Sequence, residues 1–89
     1  MDHIAEWNIH IYLFEHDDDS TLARVVLKTG ANTLRAEGLA RRNPADAPAP
    51  EIGDELAVGR ALINLGNQLT ATAGTDIEAL AGRGDPDGR

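Results

Sequence analysis

Three prolines within seven residues divide this chain into two parts with different hydrophobic periods. Pro44, Pro48 and Pro50 lie in the segment 41–50. Proline removes a backbone donor and keeps the preceding residue out of the helical region, so we expect a loop there. Apolar residues alternate before this segment and recur every three or four residues after it, which are the periods of a strand and of a helix. The sequence therefore predicts an α+β chain with its strands first and its helix last.

Three strands are predicted in the first part, over residues 5–14, 22–29 and 33–40. The acidic segment 15–20 interrupts the alternation and is expected to be a solvated turn. The segment 29–32 contains Gly and Asn, which tolerate positive φ, and so predicts a tight hairpin. Connections this short join neighbouring strands, so we expect an antiparallel meander.

Side-chain alternation assigns a face to each predicted strand. In the first strand the residues expected to face the core are Trp7, Ile9, Ile11 and Leu13. In the second strand Ala23, Val25 and Leu27 share one face. Gly38 lies inside the third strand and indicates a bulge or a place where another backbone approaches closely.

A long helix is predicted over residues 51–72, and Pro50 is suited to its first position. The apolar and small residues that recur at helical spacing are Ile52, Leu56, Gly59, Leu62, Ile63, Gly66 and Leu69. Glu51, Asp54 and Glu55 suit the positive end of the helix dipole. Because such a helix is roughly 33 Å long, we expect it to overhang the sheet or to pack on a second copy.

The helix is expected to end near Gly74. Thr75 and Glu78 fit a capping box, which predicts a short terminal helix over residues 76–81. The expected fold is therefore α+β in two layers: a three-stranded antiparallel meander packed against one long helix, with a short terminal helix. Residues 1–82 form the single expected domain, and residues 83–89, which contain no apolar side chain, are expected to be disordered.

Composition argues against several functional classes. The 89 residues include no cysteine, which excludes a disulfide scaffold, a thiolate metal site and a cysteine nucleophile. Ser20 is the only serine and no Gly-rich phosphate loop precedes the helix, so neither an enzyme, a cofactor nor a small-molecule substrate is expected. With neither a membrane-spanning apolar run nor a signal peptide at its start, the chain is expected to be cytoplasmic, with no membrane partner.

Two groups of potential metal ligands do not have the spacing of a metal site. His3, His10 and His16 lack a clear convergent set. The acidic turn after the first strand lacks the glycine and distal glutamate of a calcium loop. We therefore expect no bound metal, a half-exposed His10 on the sheet, and a polar hairpin loop.

Positive charge is concentrated in one part of an otherwise acidic chain. The net charge is −7, yet residues 21–45 contain five basic residues and one acidic residue, Glu37. The basic residues are Arg24, Lys28, Arg35, Arg41 and Arg42. A local patch of this kind is suited to RNA phosphates or to an acidic protein partner. The alternative is that these side chains pair with the protein's own carboxylates.

Two helical glycines, Gly59 and Gly66, lie seven residues apart on one side of the helix. They are compatible with close packing of the helix on its own sheet, with a helix–helix contact across a dimer, or with a kink. The residues that we expect at a dimer interface are Tyr12, Phe14, Val26, Gly59 and Gly66.

Several segments together resemble a known family. They are Gly38–Asp46, Pro50–Val58, Arg60–Leu62 and Asp76–Glu78. With the strand that begins near Trp7 and the acidic turn, they resemble small actinobacterial proteins of unknown function, some of them induced in hypoxia and dormancy. The resemblance extends from about residue 6 to residue 80.

The resemblance implies a fold like that of the double-stranded-RNA-binding domain, a homodimer, and a likeness to ribosome hibernation promoting factors. Such factors bind the small ribosomal subunit under stress. The expected function is that of a non-enzymatic stress protein associated with the ribosome or a ribosomal protein. The alternative is a homodimeric protein-interaction module with no nucleic-acid contact.

Overall fold

The computed structural model describes residues 2–17, 19–43, 45 and 49–84, with the side chains of residues 50 and 82–84 left aside. Along the chain it contains strands β1 (Asn8–His16), β2 (Ser20–Lys28) and β3 (Thr33–Arg41), then helix α1 (Pro50–Gly84). The strands are ordered β1-β2-β3, and both neighbouring pairs are antiparallel. The predicted α+β fold, a meander packed against one long helix, is confirmed.

Both hairpin turns differ in detail from the expectation. β1 continues to His16 and β2 begins at Ser20, so the β1–β2 turn is shorter than the predicted segment 15–20. In this turn Asp17 has a positive φ of 51°, and the Asp19 amide donates to the His16 carbonyl at 3.2 Å. The β2–β3 turn does not use positive φ at Gly30 or Asn32. Instead the Thr29 hydroxyl accepts from the Asn32 amide at 2.9 Å, a local bond that closes the turn.

Helix α1 begins at Pro50, as predicted, and its first carbonyl acceptor is Ala49, which receives the Ile52 amide at 3.0 Å. The predicted break near Gly74 and the separate helix over 76–81 are wrong, because α1 continues through both to Gly84. Its 35 residues span about 52 Å, whereas a nine-residue strand spans about 30 Å. Of the expected tail over 83–89, residues 85–89 lie outside the described residues.

The helix is seated on the sheet through small residues. Ala57 and Ala61 are 0% exposed, and Leu65 is buried beside them on the same side of α1. Opposite them lies Gly38 of β3, where an added Cβ would meet the Ala57 carbonyl oxygen and the Ala61 amide nitrogen at an impossible distance. The close backbone approach that Gly38 predicts is therefore confirmed, and it lets the helix lie nearer to the sheet than large side chains would allow.

A second contact fixes the position of the helix along β3. Arg60 donates to the Leu39 carbonyl at 2.7 Å, Asn64 to the Glu37 carbonyl at 2.6 Å, and Gln68 to the Arg35 carbonyl at 2.8 Å. Four helical residues advance about 6 Å and two strand residues about 6.7 Å, so the two series stay in register. These side chains cover the outer edge of β3, which would otherwise present unpaired carbonyls.

Because the helix lies over β2 and β3, the expected core faces are partly wrong. The core consists of Ala23, Val25, Leu27, Ala36, Ala40, Ala57, Ala61 and Leu65. Ile9, Ile11 and Leu13 do share the helix side of the sheet, opposite Leu27, Val25 and Ala23, but every residue of β1 is exposed. On α1 most of the large apolar residues at helical spacing also lie outside the core, since Ile52, Leu56, Leu62 and Ile63 are exposed.

The seat at Gly38 generates the first prediction. In Gly38→Ala the new methyl group collides with the backbone of α1, which cannot rotate away as a side chain can. We expect the free energy of unfolding, measured by chemical denaturation, to fall by about 3 kcal/mol or more. Gly30→Ala is the matched control, since nothing lies within 4 Å of a Cβ there. Equal stability of the two variants would contradict this account of the helix seat.

Candidate nucleic-acid interface

Four of the five predicted basic residues lie on one face of the sheet. Strand alternation places Arg24, Lys28, Arg35 and Arg41 on the side away from α1, and all four are exposed. Each belongs to a different row of directly paired residues across the sheet. Glu37 is the one acidic residue of β2 and β3 on this face. The resulting surface, here called the outer face, is basic although the chain as a whole is acidic.

Arg24 is held in place at the middle of the outer face. Its guanidinium donates to the Glu37 carboxylate, with Nη2 2.7 Å from Oε2. The same group lies over the ring of Phe14, 5.3 Å from the ring centroid, which is a cation–π arrangement. Both partners of the ion pair are about half exposed, so the pair orients Arg24 more than it stabilises the fold.

Arg42 does not join the other four basic residues. It follows the last residue of β3, and its guanidinium bonds the Asp19 carboxylate at 3.2 Å beside the β1–β2 turn. Of the predicted basic set, Arg24 and Arg42 thus pair with the protein's own carboxylates, as the alternative interpretation proposed. Among the described residues, Lys28, Arg35 and Arg41 form no ion pair.

Aromatic and aliphatic side chains lie between the cations of the outer face. Tyr12 is 50% exposed and Phe14 41% exposed, and both lie on β1 next to residues of β2 that face the same way. Leu22, Val26 and Leu39 occupy the same side. A solvated sheet face is normally polar, so this mixture of exposed aromatic, aliphatic and basic groups is typical of a binding surface.

The residues predicted for a dimer interface do not lie on one surface. Tyr12, Phe14 and Val26 are on the outer face, whereas Gly59 and Gly66 are on α1, across the sheet. A Cβ at either glycine would meet nothing within 4 Å, so neither glycine provides close packing of the helix on its own sheet. Close packing is provided by Gly38 instead.

The uncovered surface on the helix side is centred on β1. Beyond its exposed apolar residues, Val58, Gly59 and Leu62 form a shallow apolar depression along α1 that begins at Asp54. Of the two outer strands of the sheet, β3 is covered by side chains of α1 at its edge, whereas β1 is exposed along its whole length. The molecule therefore has one protected and one open edge.

Glu15 of β1 and Asp54 of α1 meet where the open edge approaches the helix. Hydrogen bonding with Asp54, and then the negative charge of that carboxylate, raise the pKa of Glu15 above its ordinary value of 4.5. Oδ1 of Asp54 is buried and has no hydrogen-bond partner among the described residues. A neighbouring negative charge of this kind disfavours the ionised form of Glu15.

An open cleft of about 420 Å³ lies next to this pair, between the β1–β2 turn and the start of α1. Its walls include Glu15, Asp19, Arg42 and Ile52. Within the described ranges, no three histidine or acidic side chains are grouped as a metal site requires. No helix in that part of the chain is both long and apolar enough to cross a membrane.

The fold and the outer face together define a class of protein: a small two-layer α+β protein with one helix seated off-centre and one basic, aromatic sheet face. The chain belongs to the family described as Rv2632c-like, whose family model matches residues 5–85. The predicted membership of a family of uncharacterised proteins is thereby confirmed.

Individual relatives are similar over most of their length. The uncharacterised protein Rv2632c of Mycobacterium tuberculosis is 48% identical over 67 residues, which cover 75% of this chain and 72% of that protein. The uncharacterised protein Mb1767 of Mycobacterium bovis is 44% identical over 80 residues, 89% of this chain and 84% of its own. The crystal structure of Rv2632c superposes with a TM-score of 0.78 at 42% identity, covering 89% of this chain and 94% of that one.

Sequence reasoning missed two features of the site. It assigned Tyr12 and Phe14 to a dimer interface without connecting them to the cations, although their parity relative to Arg24 becomes readable once the hairpin register is known. The sequence also predicts that Glu15 belongs to the turn, whereas Glu15 lies in β1 and interacts with Asp54. No sequence signal reveals that pair, because the two residues are far apart in the chain.

The Glu15–Asp54 pair predicts a pH dependence of stability. Since the raised pKa means that the folded chain holds this proton more tightly than the unfolded chain, its stabilising contribution is fully present below pH 4.5 and is lost as pH rises through the raised pKa. We expect Glu15→Gln to be more stable than the wild type at neutral pH and to lose this part of the pH dependence.

Thermal unfolding from neutral to mildly acidic pH measures the effect. Glu51→Gln removes the same charge from the same end of the molecule and serves as the control, because it leaves the pair intact. If the stability difference between Glu15→Gln and the wild type is the same at every pH, the Glu15–Asp54 pair does not cause the pH dependence.

Proposed function

We propose that this protein is a non-enzymatic RNA-binding protein that associates with the ribosome through its outer face. The observation that carries the proposal is the gathering of four cations on a sheet face that also exposes Tyr12 and Phe14. Contacts of Lys and Arg with phosphate provide the larger part of affinity for RNA. A role in stress or dormancy, like that of hibernation factors, belongs to the same proposal and rests on the resemblance. A cytoplasmic location belongs to the proposal as well.

The net charge of −7 does not argue against this surface. Glu51, Asp54 and Glu55 lie on the first turns of α1, on the helix side of the sheet, so they do not border the outer face. At physiological ionic strength the Debye length is about 8 Å, which limits how far their repulsion extends. An RNA that approaches the outer face therefore meets mainly the local positive charge.

A second function, self-association, is favoured by a separate observation. Among the described strands, β1 is the one with an open edge, and its exposed Ile9, Ile11 and Leu13 lie on the helix side of the sheet. Around a two-fold axis perpendicular to the sheet, antiparallel β1–β1 pairing places residues of the same face opposite one another. Each apolar residue of the helix side then gains neighbours from the helix side of the second copy. We therefore propose a homodimer with a continuous six-stranded sheet.

The two proposals are compatible, because pairing through β1 keeps both outer faces on one side of the joined sheet. Cations of the two copies then lie on a single surface, which raises its local positive charge without changing the charge per chain.

Ribosome binding is tested by co-sedimentation with ribosomes and isolated small subunits over a series of salt concentrations. Arg41→Gln and Arg42→Gln are a matched pair of neighbours with the same loss of charge. We expect Arg41→Gln to weaken binding and to reduce the slope of log K against log salt by roughly 0.7–0.9. Arg42→Gln should bind like the wild type, since Arg42 lies beside Asp19. Absence of co-sedimentation at low salt, or equal losses in both variants, would count against the outer face.

Self-association is tested by analytical ultracentrifugation of Ile11→Lys. A charge at the middle of β1 would be buried in the paired sheet without a partner, so we expect this variant to be a monomer where the wild type is a dimer. Ile63→Lys places the same charge at an exposed position of α1 and should remain a dimer. A monomeric wild type at tens of micromolar would remove this proposal and leave the RNA surface untouched.

A further inference from the structure

The geometry of the outer face points to single-stranded RNA, rather than a duplex, as the ligand. This inference rests on the proposed function and names the substrate class of the same surface. It depends on the order of cations along the sheet, on the exposed ring of Tyr12, and on the charge at the start of α1.

Four of the five rows on the outer face contain one of these cations each. Successive rows on the outer face contain Lys28, then Arg35, then Arg24, and, after one row without a cation, Arg41. Rows on one face are two residues apart, which is about 7 Å. Lys28, Arg35 and Arg41 form no ion pair within the described residues, whereas Arg24 is paired with Glu37 of its own row. An extended strand of RNA carries one phosphate per nucleotide, so charges spread along the sheet suit its backbone better than a compact cluster would.

The aromatic side chains lie to one side of these cations, which are all on β2 and β3, whereas Tyr12 and Phe14 are on β1. Phe14 already holds the Arg24 guanidinium over its ring, and a base can stack on the exposed plane of an arginine as well as on an aromatic ring. Tyr12, directly opposite Arg24, is half exposed. A backbone over β2 and β3 would therefore leave its bases above β1.

A duplex does not fit this arrangement. Its bases are stacked on one another and offer no free face to Tyr12. On the helix side, the first turns of α1 contain Glu51, Asp54 and Glu55, which would repel phosphates there. The acidic helix side therefore offers a duplex no alternative surface, and the outer face combines its cations with Tyr12 and Phe14, on which unpaired bases can stack.

The test compares binding of the full chain to two RNA probes by fluorescence anisotropy at low salt. One probe is a labelled oligouridylate long enough to cross all rows of the sheet, and the other is a fully paired RNA duplex of the same length. Tyr12→Leu keeps an apolar side chain and removes the ring, and Tyr12→Phe keeps the ring. We expect Tyr12→Leu to bind the oligouridylate about 5- to 150-fold more weakly and Tyr12→Phe to bind it like the wild type.

The outcomes distinguish this inference from the proposed function. Tighter binding of the duplex, or equal binding by Tyr12→Leu and Tyr12→Phe, overturns the single-strand assignment, while a loss of ribosome binding in Arg41→Gln would still support the outer face. If neither probe nor the ribosome binds at low salt, the proposed function itself fails. Circular dichroism of both Tyr12 variants shows that a loss of affinity does not reflect unfolding.

Discussion

The close contact between Gly38 and the backbone of α1 is the constraint on which the rest of the structure depends. A helix that packs through Leu or Phe side chains stands well away from its sheet and can be centred over it. Here Ala57 and Ala61 face Gly38, so the helix axis is held close to β3. The hydrogen bonds from Arg60, Asn64 and Gln68 to the carbonyls of β3 then fix the position of the helix along that edge.

Because the helix is off-centre, it leaves the β1 edge of the sheet uncovered. The buried core is small and rich in alanine, and β1 is exposed on both faces. This strand exposes Ile9, Ile11 and Leu13 on one side and Tyr12 and Phe14 on the other, and an exposed apolar edge strand is a site where another chain can pair. The same contact that protects the edge of β3 thus explains why β1 is the strand available to a second chain.

The sequence predicts the elements of this fold well, and their packing less well. Alternation and the prolines identify three strands, their order along the chain and the start of α1 at Pro50, because those signals are local. The predicted buried face of the helix is wrong, because hydrophobic periodicity gives weight to Ile52, Leu62 and Ile63 and little weight to alanine. Only the coincidence of Gly38 with the alanines at helical spacing indicates the true face. The break near Gly74 fails for a related reason: glycine is unfavourable in a helix by about 1 kcal/mol, which is too little to end one by itself.

The candidate site shows the same division between local and non-local information. Five cations are visible as a concentration of charge along the chain, but whether they form one surface depends on strand parity and register. Strand alternation places Arg24, Lys28, Arg35 and Arg41 on the outer face. Arg42 is separated from them because it follows the end of β3. Net charge is a sum over all faces, whereas a ligand within a Debye length responds to one face. In a two-layer domain the helix covers only one side of the sheet, so an acidic helix side and a basic outer face can exist in one small chain.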